Sequence, residues 1–180
     1  IQRTPATPVP SGWRYRFAPG SKRSPNEGGV RTPIMVRWPG HVKPGTRSDL
    51  ASSIDLAPTI LAATGITPKS KLPGLDLVAL ASRKPDAPVT RSAVYGEIFA
   101  HDVADINRPS ASLRFRWVRS GPLKLIAPAG PSKLQLFDLR TDPHETTDLA
   151  GKAPRRVSRL KSLLDTWWRP RPSPTEPSGP

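Results

Sequence analysis

The sequence predicts an α/β chain in two parts: the last portion of a main sheet with its helix, then an antiparallel sheet packed by a terminal helix. Three observations predict it. The run "TPIMVRWPG" is apolar, ends at Pro39-Gly40, and leads through an exposed turn into the helix-patterned "SSIDLAPTILAATG". A series of short apolar runs with turn signals follows, from "SAVYGEIFA" to "KLQLFDLRTD". The last patterned stretch, "APRRVSRLKSLLDTWW", carries its apolar residues at helical spacing.

Composition bounds the possibilities. The 180 residues suffice for one domain with a core. Lys and Arg number 28 against 14 acids, a formal charge of +14. That surplus points to anionic partners (nucleic acid, anionic lipid, sulfated or phosphorylated substrates) or to a solvated basic surface. Without cysteine, the chain offers no disulfide, thiolate metal site or cysteine nucleophile. No apolar run is long enough to cross a bilayer. The first residue is Ile1, not Met, which suggests a fragment, a processed product or an incomplete gene model.

Each element has a local reason. Residues 1–19 form a Pro-rich basic arm in which Trp13, Tyr15 and Phe17 alternate with Arg14 and Arg16, as a short strand or an extended arm would. Residues 20–31 are a loop, and 33–38 read as a short buried strand. In the helix after it, Ser53 or Asp55 can cap the N-terminus, Pro58 falls in the first turn, and Gly65 stops it in the left-handed conformation. Loop, strand and helix make up 20–66, and 67–92 read as a linker loop with several prolines. A C-terminal α+β subdomain is expected at 93–168. In "LRFRWVRSG", Leu113, Phe115 and Trp117 form an apolar face and Arg114, Arg116 and Val118 a mostly basic one. Successive runs with short turns favour an antiparallel meander. Val157, Leu160, Leu164 and Trp167 give the terminal helix one apolar face, with Pro154 near its start. A disordered tail is expected at 169–180.

The loop "GSKRSPNEGGVRTPIMVRWPG" resembles the sulfatase pattern of a lysine, a short spacer, Glu-Gly-Gly-x-Arg-x-Pro, and a strand ending in Trp-Pro-Gly. "SSIDLAPTILAATGI" resembles that family's Asp-Leu-x-Pro-Thr helix, and "LRFRWVRSGPLKLI" its Arg-x-Gly-x-x-Lys-Leu-Ile strand pair. "LQLFDLRTDPHETTDLAG" resembles its Leu-Tyr-Asp-Leu-x-x-Asp-Pro-x-Glu signature. The four occur in order and agree with one another. Asn26, Arg23 and Asp76 depart from the residues usual at their positions, Tyr, Gly and Ser.

The resemblance implies a partial alkaline-phosphatase-like α/β fold and membership of a formylglycine-dependent sulfuric ester hydrolase that uses a calcium-type divalent cation. The family's Cys/Ser-x-Pro-x-Arg nucleophile motif and its Asp-Asn metal pair are not in this chain, so it is similar to the C-terminal portion of a sulfatase, such as an arylsulfatase, and is expected to be inactive alone. The implied partners are a sulfated small molecule or glycan and the missing N-terminal portion; a membrane is not implied, and a periplasmic or secreted location is.

Within the loop, Lys22 has the position that touches the substrate sulfate in sulfatases. A compact ammonium suits one sulfate oxygen, and a cation beside oxygens that gain charge is worth more in the transition state than in the ground state. Glu27, Gly28, Gly29 and Arg31 are expected to support the loop: the glycines by adopting angles closed to other residues, Glu27 and Arg31 by pairing or as two exposed charges of little worth.

No metal ligand set is expected. His41, His101 and His144 lie far apart, and the "HDVAD" residues His101, Asp102 and Asp105 read as ligands or, by default, as a surface loop. Asp138, Asp142 and Glu145 read as paired carboxylates or as a turn; the turn has the clearer mechanism, because Asp142 can accept from its own downstream backbone. An alternative function is a non-enzymatic basic module that binds polyanions such as nucleic acid or sulfated glycan, although no nucleic-acid motif is present. A third is a truncated piece whose strand is left with an unpaired edge.

Overall fold

The structure, a computed structural model, describes residues 24–84 and 91–170. In chain order its elements are α1 (Glu27–Val30), α2 (Leu56–Ala63), α3 (Leu77–Ala81), β1 (Val94–Phe99), β2 (Leu113–Ser120), β3 (Leu123–Pro128), β4 (Gln135–Asp138) and α4 (Pro154–Trp167). The chain divides into two compact units, one of them Thr32–Val94. The expected Pro-rich arm, with Lys22, and most of the expected tail lie outside the described residues.

In the unit Thr32–Val94, α2 follows a 3-10 turn, Ser53–Asp55. Asp55 does not cap α2 by accepting from downstream N–H groups; it belongs to a capping box with Ser52 at the 3-10 turn. The Asp55 carboxylate accepts from the N–H of Ser52, at 2.7 Å. At the other end Gly65 has φ +71°, and the Ile66 N–H reaches back to the Leu61 carbonyl at 2.9 Å, closing the helix as expected. The stretch expected to be wholly loop contains α3, whose N-terminus is capped by Asp76 accepting from Val78 and Ala79 at 2.9 and 3.2 Å. The unusual aspartate noted in the sequence is thus a helix cap.

Residues 33–38 do not form the expected buried strand. They are irregular, and Met35 is 88% exposed with Ile34 and Val36 also open. A strand exists only by pairing its N–H and C=O groups. Among the described residues the strands form one sheet, β1-β2-β3-β4, which this segment does not join.

That sheet is the meander expected. β2 pairs antiparallel with β3, and β3 with β4. Val118 is opposite Leu125, which is opposite Leu136, so these three share a face. Packed there by α4, they are fully buried together with Leu160 and Leu164. Each such side chain contributes roughly 1.5–3 kcal/mol.

Alternation in β2 defines its two faces and leaves open which one is covered. The face turned to α4 is the one with Arg116 and Val118, whereas Leu113, Phe115 and Trp117 are only half-buried. Arg116 is tolerated there because its guanidinium donates to Asp165 of α4 at 3.1 Å and to the Trp168 carbonyl. Trp167 does not enter the core. It stacks on Tyr95 of β1 with ring centroids 5.1 Å apart and stays 41% exposed.

Candidate functional site

β3 is buried along five consecutive residues, Leu123 to Ala127. Continuous burial means that both faces of the strand are covered. One face meets α4. On the other, Lys124 is opposite both Arg119 and Phe137. The Lys124 side chain is completely buried, and its ammonium lies 5.5 Å from the centre of the Trp117 ring.

A buried ammonium needs anionic partners, because desolvation otherwise neutralises it. Lys124 Nζ has two: Glu27 Oε1 and Glu145 Oε1, each at 3.0 Å. Glu145 also accepts, through Oε2, the backbone N–H of Glu27 at 2.6 Å. Arg119 Nη1 lies 3.5 Å from the outer oxygen of Glu27. One buried lysine thus binds the glutamate that opens the Glu-Gly-Gly turn and the glutamate of the Asp-Pro-His-Glu turn, residues that lie 118 apart in sequence. Glu145 adopts φ 54°, a left-handed conformation unusual outside glycine.

The turn that presents Glu145 is built as its sequence suggested. Asp142 accepts from the Thr146 hydroxyl at 3.0 Å and the Thr147 N–H at 2.8 Å. Asp148 accepts from the Leu136 N–H at 3.0 Å, which ties the loop to β4.

The expected loop supports are placed as follows. Glu27, Gly28 and Gly29 lie in α1, a single helical turn, whose ring closes through Gly29 and Val30 donating to the Asn26 carbonyl at 2.8 and 3.1 Å. Neither glycine has a positive φ, so the expected reason for Gly-Gly does not hold. Glu27 gives its carboxylate to Lys124 and Arg119, not to Arg31, which is exposed and follows the turn. Lys124, Glu145 and Arg119 were not foreseen as partners of the loop. The available signal was a lone charge in the apolar run "LKLIA".

The unit Thr32–Val94 has its own polar centre. Asp55 is fully buried and receives Arg91 Nη1 and Nη2 at 2.7 and 2.5 Å, together with the Leu75 N–H at 2.8 Å. Burial pushes its carboxyl upward, but Arg91 and the N–H groups of Leu75 and Ser52 outweigh that and hold it below the ordinary carboxylate range. Thr59 donates to the Asp55 carbonyl at 2.6 Å and accepts from the Leu77 N–H at 2.9 Å. The Asp and Thr of "IDLAPT" are therefore the brackets that hold the 74–77 segment.

Among the described residues no group of three His, Cys, Asp or Glu side chains is placed to hold a metal ion. His101 and Asp102 are exposed, and Asp105 is engaged with the Asn107 N–H and with Arg108. The buried carboxylates of Asp55, Glu27 and Glu145 already face Arg91 and Lys124. The described residues do not fit a calcium site. No described helix is long and apolar enough to cross a membrane.

Residues 18–166 match the family model described as N-sulphoglucosamine sulphohydrolase, C-terminal. Human arylsulfatase A is 32% identical over 154 residues, covering 76% of this chain and 30% of that protein. The N-acetylgalactosamine-6-O-sulfatase of Bacteroides thetaiotaomicron is 28% identical over 159 residues, covering 82% of this chain and 29% of that protein. A solved structure from work on glycosaminoglycan metabolism by Bacteroides thetaiotaomicron superposes with a TM-score of 0.62 at 26% identity, covering 84% of this chain and 32% of that one. The phosphonate monoester hydrolase of Silicibacter pomeroyi, at 24% identity and a TM-score of 0.58, covers 73% of this chain and 27% of its own and shares the fold. The chain spans about three tenths of the length of these curated relatives.

Proposed function

The chain belongs to the sulfatase family, in its C-terminal region, and from that premise we propose that it is the C-terminal part of a sulfuric ester hydrolase and supplies a sulfate-binding lysine but no nucleophile. The observation that carries the reading is the anchoring of the Glu-Gly-Gly loop: Glu27 is drawn into the sheet by Lys124 and Glu145. A loop spent only on solubility has no need of a buried ion network beneath it.

In this reading Lys22, five residues before Glu27, places its ammonium against one oxygen of the substrate sulfate. As the ester bond breaks, charge builds on the equatorial and leaving oxygens, and the fixed cation offsets it more in the transition state than in the ground state. Glu27, Gly28, Gly29 and Arg31 give that loop its path. The nucleophile, a formylglycine, and the ligands of a calcium-type cation belong to polypeptide outside this chain. The substrate is a sulfated small molecule or a sulfated glycan.

A fold shared with a phosphonate monoester hydrolase leaves the ester class to be tested directly. The isolated 180 residues and the complete enzyme that carries them are assayed against aryl sulfate, sulfated glycosaminoglycan fragments and aryl phosphonate. Hydrolysis of a sulfate ester by the complete enzyme, with none by the isolated chain, is expected. Turnover by the isolated chain, or phosphonate hydrolysis without sulfatase activity, overturns the proposal. Salt-sensitive binding to random DNA together with no esterase activity in the complete enzyme establishes the polyanion module instead. Against that module, cations on both sides of the sheet are already paired internally, Arg116 with Asp165 and Lys124 with two glutamates.

A further inference from the structure

The buried network under the loop concentrates charge. Two carboxylates face one ammonium, and all three side chains are nine-tenths or more buried. Arg119, 31% exposed, brings the fourth charge to the outer edge. Replacing such a cluster by uncharged side chains of similar volume is often neutral or stabilising, so an ion cluster retained at a buried position points to geometry. Here the geometry is specific. Glu145 grips the main-chain N–H of Glu27 at 2.6 Å while Lys124 grips its side chain at 3.0 Å, so backbone and carboxylate are fixed together. Glu145 does so from a left-handed backbone at φ 54°. For a residue other than glycine that conformation costs on the order of 1–3 kcal/mol and persists where the surroundings impose it. The chain before the turn is tied as well: the Ser24 hydroxyl donates to Asn26 Oδ1 at 2.9 Å and accepts from the Asn26 N–H at 3.2 Å. Only two peptide units separate Ser24 from Lys22, and a tether that short spans at most about 7 Å.

We propose that Lys124 and Glu145 are positioning residues for the sulfatase reaction: by clamping Glu27 they set where the Lys22 loop starts, and so where the sulfate-contacting ammonium sits. The proposal rests on the reading of Lys22 given above. It assigns a reaction-linked purpose to two side chains that touch no substrate. The effect belongs in kcat, since a misplaced cation loses the interaction that grows in the transition state.

The test is a double-mutant cycle in the complete enzyme, read as kcat and KM on an aryl sulfate. One arm is the neutral set Glu27→Gln, Lys124→Met and Glu145→Gln, which keeps the volume and an acceptor for the Glu27 N–H. The other arm is Lys22→Ala. Alone, the neutral set is expected to lower kcat about 100-fold, the scale of an ångström-sized misplacement, with Tm within a few degrees of the unaltered enzyme. In the Lys22→Ala background it is expected to change kcat less than about threefold, because what it positions is already gone. A neutral set that keeps kcat within about threefold, while Lys22→Ala is strongly impaired, overturns this proposal and leaves the reading of Lys22 intact. A full additive loss in the Lys22→Ala background also overturns it, since the network then acts on something else. Unimpaired Lys22→Ala removes the reading of Lys22 and this inference with it. Should the neutral set fail to fold, Lys124→Arg keeps the charge, displaces Glu27 with a longer planar fork, and carries the same cycle with the same criteria.

Discussion

At the level of single residues, Arg91 and Lys124 each hold a buried carboxylate, Asp55 in one case and Glu27 with Glu145 in the other. Arg91 meets Asp55 bidentately, and the carboxylate is fully buried. Removing one member of such a pair strands the other, so Asp55→Ala is expected to destabilise the Thr32–Val94 unit by about 3–5 kcal/mol, measured by hydrogen exchange of α2 amides. The pair also sets an acid limit. The folded carboxyl of Asp55 lies below its unfolded value, so the stability it contributes is fully present above the ordinary range near pH ~4 and is lost as pH falls through the lowered folded value. Asp55→Asn is expected to flatten that part of an acid-unfolding curve; an unchanged acid slope contradicts it. These residues differ in how far the sequence shows them. Asp55 stands out beside a helix start, and the "EGG" loop is legible as a unit. Lys124 carries only the hint of a charge among aliphatics, and its partners are remote in the chain, so no local pattern pairs them. Gly28 and Gly29 mislead, because Gly-Gly suggests unusual backbone angles while the chain there is an ordinary helical turn.

Elements were legible wherever they complete themselves within the chain. The α4 stripe at Leu160 and Leu164 and the meander runs close on each other, so periodicity located them. Leu164→Ala is accordingly expected to cost about 2–5 kcal/mol in chemical denaturation, through lost transfer energy and the cavity left against the sheet. The covered face of β2 was not legible, because alternation shows two faces without saying which one is covered, and Arg116 is held on the inner face by its partner on α4. α3 was missed because it spans only Leu77–Ala81 among prolines and is held by a cap at Asp76 and by the bonds to Asp55 and Thr59. At Gly74 a side chain has no room: a Cβ there lies 2.2 Å from the Ile54 carbonyl oxygen, which is backbone and cannot yield. Gly74→Ala is expected to cost about 3 kcal/mol or more and to loosen the 74–77 segment from α2; an unshifted denaturation midpoint contradicts that.

The whole molecule is marked by what it leaves open. Ile34, Met35 and Val36 follow one another in the exposed segment expected to be a strand, and Ile60 and Ile66 are more than half exposed. An exposed apolar run that joins none of the described strands is a template for association. Met35→Lys is therefore expected to reduce self-association of the isolated chain in sedimentation, leaving its Tm unchanged. In the complete enzyme the same change is expected to cost about 2 kcal/mol or more, since the sequence pattern of the run is that of a buried strand of a main sheet. Strand 33–38 was legible as a propensity and not as a structure for this reason: a strand is made by its neighbours, and a single sequence reports only one side of the ladder. Lys22 falls under the same limit, being readable as a loop cation while its purpose depends on residues elsewhere. It also offers the sharpest test. With a sulfate ester as substrate, kcat/KM of the complete enzyme carrying Lys22→Ala is expected to fall about 30- to 1,000-fold, the equivalent of roughly 2–4 kcal/mol of transition-state binding, whereas a value within a few-fold of the unaltered enzyme contradicts a sulfate contact at that position.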